Sequence, residues 1–368
     1  MGLGSLPVVG ATLTRLGDLP GGGTASVAGK VSADGSTVVG HSSSANGQEA
    51  FRWTVGGGMV GLGDLPGGHF ESTATSVSAD GSVVAGTGQA AAGREAFRWT
   101  SGGGMVGLGD FPGGAFRSQG LGISGDGNVV VGFGHTTSQQ PFLWTSGTGL
   151  VSLGSPGSES HAWDVSYDGS VVVGSVGNSG SQLAFRWTTG GGLVTLGDLP
   201  GGISSSSVNA VSFDGNVLAG VGNSASGTEA FKWTSGTGLV GLGDLPGGGY
   251  FSVANGVSGD GNRVVGFGTS AAGSTAFLWE QDTGMLPLWD VLVAEGINPL
   301  LDGWTSFSGA ADISDNGRYL VGTGIRSGNT EAFLVDLGAP EVPEASTWAA
   351  GVGLVGLLAA RCFRRSPR

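Results

Sequence analysis

Five aspartates stand in one repeated phrase, Gly-Asp-Leu-Pro or Gly-Asp-Phe-Pro: Asp18, Asp64, Asp110, Asp198 and Asp244. Asp290, in Trp-Asp-Val-Leu, falls at the next interval, and Ser155 takes the acid's place at one position. Carboxylates spaced this evenly would form a ring on one face of a repeat protein, able to bind cations or polar ligands. The competing account is local: each Asp accepts a hydrogen bond from its own turn, as Asx turns do. Repeats keep their turn chemistry whatever they do, so turn chemistry is the reading adopted. A second acid set, Asp34, Asp80, Asp126, Asp168, Asp214 and Asp260, precedes glycine and belongs on the opposite face. It invites a calcium reading but lacks the clustered carboxylates of a calcium loop; hairpin geometry accounts for it.

Other chemistry is sparse. His41, His69, His135 and His161 show no metal-ligand spacing and read as solvated loop histidines. No Gly-x-Ser-x-Gly elbow has plausible partners, and the glycine-rich turns open no helix that could cradle phosphate. Cys362 is the only cysteine, which excludes an intrachain disulfide and a Cys-based zinc site. No catalytic residue, metal site or cofactor is therefore expected. Trp53, Trp99, Trp144, Trp187, Trp233 and Trp279 could stack on sugars if exposed, but their fixed place beside Phe makes them core wedges. Arg52, Arg98, Arg186 and Lys232 point the other way and should pair with local acids or carbonyls. Ligand contacts are expected from the variable loops at 42–49, 88–95, 134–140 and 222–229.

These residues sit on a repeat. Seven copies of one phrase run from VSADGSTVVG at 31–40 to ISDNGRYLVG at 313–322, each followed by a second phrase such as AFRWT. A third, typified by MVGLGDLPGG, follows most copies. The usual spacing is 46 residues; one interval is four shorter, and one carries ten extra residues after Asp290. Two β-branched runs around Asp-Gly are a strong hairpin signal. The unbroken valine runs predict strands buried on both faces. One strand before the hairpin and one after AFRWT bring the total to about four per repeat, the size of a propeller blade. The last copy lacks its final strand, while ATLTRLGDL at 11–19 is an extra one. The expected fold is thus all-β: a single seven-bladed β-propeller over 11–338, closed by the N-terminal strand, which removes an open edge. A β-solenoid is the alternative, though its coils are usually shorter. A helical insertion is expected near 290–304, N-capped by Asp290, with Val291, Leu292 and Ile297 packed on the ring.

Both ends differ from the body. Residues 1–10 lack a basic region and a long apolar core, so they read as a leader or as a start placed too late, with the true signal upstream. Residues 339–347 form a linker, and 348–368 an apolar segment with a basic tail. At 13 residues, 348–360 falls short of an ordinary spanning helix and would make a marginal anchor. Glycine accounts for 78 of 368 residues and net charge is −13, with four of the 15 basic residues in the last eight. That balance argues against a nucleic-acid partner.

The ordered set of hairpin, AFRWT and GLGDLPGG phrases resembles the HAF-type extracellular repeat proteins of bacteria. The His-Ala-Phe triplet of that family is replaced here by Glu49, Glu95, Glu229 or Glu331 before Ala-Phe. The C-terminus, Val342, Pro343, Glu344, Ala345 and Ser346, then the apolar run, then Arg361, Arg364, Arg365 and Arg368, is similar to a PEP-CTERM sorting signal, with Ala345 where the second proline would stand. The resemblance implies processing by an exosortase-like enzyme and a short C-terminal transmembrane or sorting helix. It further implies transient anchoring in the inner membrane of a Gram-negative bacterium and release to the cell surface or matrix. The expected role is a non-catalytic envelope or matrix protein that binds exopolysaccharide or a surface partner. The alternatives are a polysaccharide lyase or hydrolase, which would need paired carboxylates at the channel, and a purely structural repeat.

Overall fold

The computed structural model describes residues 10–154 and 156–338. After a short first strand, β1 (Thr12–Arg15), each repeat folds as an antiparallel meander. The first comprises β2 (Gly21–Val31), β3 (Thr37–Ser44), β4 (Gly47–Thr54) and β5 (Gly58–Gly61). Next come β6 (Gly67–Val77), β7 (Val83–Ala90), β8 (Gly93–Thr100) and β9 (Gly104–Gly107), then β10 (Ser118–Ile123), β11 (Val130–His135), β12 (Gln139–Thr145) and β13 (Gly149–Ser152). They are followed by β14 (His161–Val165), β15 (Val171–Asn178), β16 (Ser181–Thr188) and β17 (Gly192–Gly197). After these lie β18 (Ser207–Val211), β19 (Val217–Ser224), β20 (Gly227–Thr234) and β21 (Gly238–Gly241), then β22 (Gly247–Val257), β23 (Arg263–Ser270), β24 (Gly273–Glu280) and β25 (Gly284–Pro287). The last repeat supplies three strands, β26 (Trp304–Ile313), β27 (Tyr319–Arg326) and β28 (Asn329–Asp336), and β1 pairs with β28 from Thr12↔Asp336 to Arg15↔Phe333.

The core lies between these sheets. The unbroken valine runs are buried on both faces, and the Phe of every Ala-Phe phrase, from Phe51 to Phe333, has no exposed surface. Each such ring is worth about 1.5–3 kcal/mol of burial. One cluster joins Val39, Ala50, Leu62 and Leu65 to Ala74, Val77, Val84 and Phe97 of the following repeat. Trp53 and Trp279 are buried wedges in the same layers. Every inner strand (β2, β6, β10, β14, β18, β22, β26) packs beside the next, and β26 packs beside β2. That last contact rules out an open solenoid, whose first and last coils never meet.

Several local expectations are corrected. The four "variable loops" are mostly strand: β3 runs to Ser44 and β4 starts at Gly47, so the turn is two residues. All four histidines lie in strands: His41 in β3, His69 in β6, His135 in β11 and His161 in β14. The insertion forms α1 (Leu288–Ala294) and a 3-10 turn (Pro299–Asp302), and α1 begins before Asp290. Pro287 caps it without a side-chain bond, leaving Asp290 in the first turn. Leu288 and Leu292 are buried against β24 and β26, with Val291 and Ile297 packed alongside. Among the described residues no helix is long and apolar enough to cross a membrane. Residues 1–9 of the 1–10 leader, Ser155, the linker, the sorting motif and the apolar segment with its basic tail lie outside the described residues.

Candidate functional site

Each inner strand carries a β-bulge at the same position of the repeat. In β2 the register slips between Ala28 and Lys30; in β14 between Ala162 and Asp164; in β26 between Ala310 and Asp312. A bulge breaks the two-residue alternation and re-aims side chains. Here it lets two successive positions line the axis. The bulged residues, among them Gly29, Thr75, Leu121, Trp163 and Asn209, line one cavity of about 300 Å³. The next position along holds Lys30, Ser76, Gly122, Asp164, Ala210, Gly256 and Asp312 in chain order. Three of these are charged, and they meet.

Lys30 Nζ donates to Asp312 Oδ1 at 3.2 Å and to Asp164 Oδ2 at 3.5 Å. Each carboxylate also accepts a backbone N–H from the following repeat: Val31 to Asp312 Oδ2 and Val211 to Asp164 Oδ2, both at 3.1 Å. Asp164 and Asp312 are buried. Burial pushes the Asp312 carboxyl up to about 6, opposed by the Lys30 ammonium and the Val31 N–H. Burial also works to deprotonate Lys30, but the two carboxylates outweigh it and hold the amine protonated. Asp315, nearer the hairpin end, is raised by burial as well.

The cavity around this triad has a volume of about 80 Å³, room for two or three waters at about 30 Å³ each. Its hairpin end is tied by backbone bonds running from repeat to repeat: Ala33 to Ala79, Ala79 to Gly125, Gly125 to Tyr167, Tyr167 to Phe213, and Gly259 to Asp315. Tyr167 and Phe213 stack there with centroids 4.2 Å apart.

The repeated aspartates do not make a free acid ring. Asp64 accepts the N–H of Glu71 at 2.8 Å and of Gln89 at 3.2 Å, tying the loop after β5 to β6 and β7. Asp110 does the same for Arg117 and His135, and Asp198 for Ser205 and Asn223. Asp244 holds the Phe251 N–H at 3.0 Å, and Asp18 pairs with Arg15 at 3.5 Å. The donors lie 7 and 25 residues ahead, so the bonds staple strands and reach well beyond the Asp's own turn. Asp290 stands apart: it is exposed on α1 and makes none of these contacts. The Asp-Gly acids serve their hairpins, as expected: Asp80 accepts from the Ser82 N–H and from the hydroxyls of Ser78 and Ser82, which holds its carboxyl below the usual value.

The Glu that replaces His in Glu-Ala-Phe also has a task. Glu49, Glu95 and Glu229 accept the N–H of Gly63, Gly109 and Gly243 at 2.8–3.0 Å, while Glu331 pairs with Arg15 and Arg326. Arg52 and Arg98 donate at 2.9 Å to the carbonyls of Gly81 and Gly127 in the next repeat's hairpin; Lys232 lies over the Trp279 ring. No group of metal-ligating side chains occurs among the described residues.

Four-stranded sheets set side by side around an axis define a β-propeller. The chain is similar to the hydrazine synthase of Kuenenia stuttgartiensis, at 13% identity over 86% of this chain and 96% of that one, with a TM-score of 0.50. It is also similar to TolB from Acinetobacter baumannii (13% identity, 76% of this chain, TM-score 0.47) and to a putative TolB from Agrobacterium tumefaciens (15%, 59% of this chain and 79% of that one, 0.41). It spans 63% of the length of the Acinetobacter protein. No family model and no curated protein matches the chain. At these identities the likeness is one of fold.

The sequence reading missed the axial triad. Aligning the copies on Val-Ser-x-Asp-Gly places it in the column two places before the serine, which is charged in only three of them.

Proposed function

We propose that this chain is a seven-bladed β-propeller, closed by its N-terminal strand, that acts as a non-catalytic binding module of the cell envelope or extracellular matrix. A C-terminal sorting segment at 342–368, anchored through 348–360 and processed by an exosortase-like enzyme, delivers it there. Its ligand is a polysaccharide or another surface component. The observation that carries the non-catalytic reading is the state of the axial acids. Among the described residues Asp164 and Asp312 are the two carboxylates that Lys30 cross-links on the axis, in a cavity of about 80 Å³ that Asp315 also lines. Ligand pockets usually run to about 300–1,000 Å³, so a sugar ring does not reach them. A glycosidase needs one carboxyl to deliver a proton and another to attack or activate water, and these two are committed to an amine and to backbone N–H groups.

The test uses the full chain with purified exopolysaccharide. Retention on the polymer without new reducing ends or unsaturated products is expected. Turnover that disappears in Asp164→Asn or Asp312→Asn overturns the reading in favour of the enzyme. For the address, a reporter carrying residues 339–368 is expected in the membrane fraction and then at the surface; a reporter that stays cytoplasmic overturns that part.

A further inference from the structure

The ten-residue insertion changes the seam between β24 and β26, and a groove lies there. At three seams the third strand of one repeat lies against the chain that leads into the next inner strand. A side chain placed on Gly47, Gly93 or Gly227 would come within 2.8 Å of the carbonyl oxygen of Phe70, Phe116 or Tyr250. At the equivalent Gly273 there is nothing within 4 Å. The cause is visible in the sequence. Phe70, Phe116 and Tyr250 each stand seven places before the valine or isoleucine that ends the inner strand, and in β26 that place is Ser306. The ten extra residues also replace the Leu-Pro-Gly-Gly link with α1. The seam is held instead by Ser274, whose hydroxyl donates to the Ser308 carbonyl at 2.8 Å.

The resulting groove has a volume of about 450 Å³, within the range of small-ligand sites. Trp289, Phe307, Pro246 and Pro287 give it an apolar wall, with the Trp289 and Phe307 rings 5.6 Å apart. Asp290 contributes an exposed carboxylate that no side chain or backbone group engages among the described residues. Thr275 and Thr305 line the groove with hydroxyls whose oxygens keep a free lone pair for a further bond.

An indole face, a free carboxylate and hydroxyls are the chemistry that recognises a sugar. The ring's C–H face covers the aromatic, and paired hydroxyls donate to the acid. Charge selects among sugars: the chain carries −13 and the groove has an acid and no base, which disfavours uronic or sulfated units. We infer that the groove between β24, α1 and β26 binds a neutral hexose unit of a polysaccharide, with Trp289 as platform and Asp290 as hydroxyl acceptor. The inference rests on the proposed binding role and assigns it a place.

The test is calorimetric titration of the full chain with neutral gluco-, manno- and galacto-hexasaccharides, and with an acidic exopolysaccharide. Binding of at least one neutral hexasaccharide is expected. Asp290→Ala, at an exposed position, should weaken it at least about tenfold, and Trp289→Ala should do the same. Ser306→Tyr restores the residue type of the closed seam at Tyr250 and should abolish binding with the melting temperature kept. Undiminished binding by Asp290→Ala and Ser306→Tyr overturns the groove while leaving the binding module in place. So does binding of the acidic polymer alone. Absence of binding to any glycan overturns the groove and, with it, a polysaccharide as the ligand of the proposed binding module.

Discussion

Replacing Lys30 with methionine keeps most of the side-chain volume and removes the charge that holds Asp164 and Asp312 together. Asp312 is already difficult to ionise: its move from the ordinary 3.8 to about 6 corresponds to about 3 kcal/mol in favour of the protonated form, with Lys30 still present. Taking away one partner of a buried ion cluster usually costs about 3–5 kcal/mol, because the remaining charge is stranded. The expected loss at pH 7.5 is therefore about 3–5 kcal/mol. The pH dependence has a definite sign. A carboxyl whose folded pKa is raised binds more protons in the native state than in the unfolded chain. Its favourable contribution is present below about 4 and is lost as pH rises through the folded value. In the wild type that window for Asp312 runs from about 3.8 to about 6. Without Lys30 it extends upward, and the variant should regain part of its stability between pH 7.5 and 5. Urea unfolding followed by tryptophan fluorescence at both pH values measures this. Adding Asp164→Asn and Asp312→Asn to Lys30→Met should recover most of the loss, since the buried charges are then gone together. A Lys30→Met variant within about 1 kcal/mol of wild type at pH 7.5, with an unchanged pH slope, would refute the axial cluster as the reason these residues meet.

Asp64→Ala should lower stability by about 2–3 kcal/mol, because two backbone N–H groups lose a charged acceptor; Asp290→Ala should leave the melting temperature unchanged. Equal effects at the two positions would contradict the staple. Gly107→Ala places a methyl 2.2 Å from Glu95 Oε1 and should cost about 1–3 kcal/mol. In the background of Glu95→Ala the same change should cost little, and a double-mutant cycle in denaturant reads the coupling. Deleting residues 1–17 strips β1 from β28 and bares a strand edge. Size-exclusion chromatography should then show concentration-dependent self-association, and a clean monomer would mean that the edge is protected some other way.

Much of this molecule is written in its periodicity. Val38 and Val39, buried on both faces, the Asp-Gly turns, and Phe51 and Trp53 on one side of β4 with Arg52 on the other are all local consequences of residue type and a two-residue period. The strand count per repeat follows from the same pattern. The acceptor of Arg52 was foreseen only by kind, and Asp64 was read as bonding its own turn, where the structure gives it donors in β6 and β7. The Arg52 acceptor lies 29 residues on and the Asp64 donors 7 and 25, and their positions depend on how one sheet sits against the next. Asp290 was grouped with the staples because it keeps their interval, yet the insertion had already changed its surroundings to a helix and an open groove.

What the sequence by itself determined was therefore the repeating unit: four strands, their turns and their buried faces. Their contacts join residues at most one repeat apart, and a 46-residue period records them directly. What only the tertiary structure decided was the axis. Lys30 lies 134 residues from Asp164 and 282 from Asp312. No periodicity brings them together. They meet because the inner strands turn through a ring until β26 packs beside β2, and because a bulge in each strand swings one more side chain inward. The centre of such a ring is the one place where every repeat is a neighbour of every other, so its chemistry is set by closure and not by any single copy.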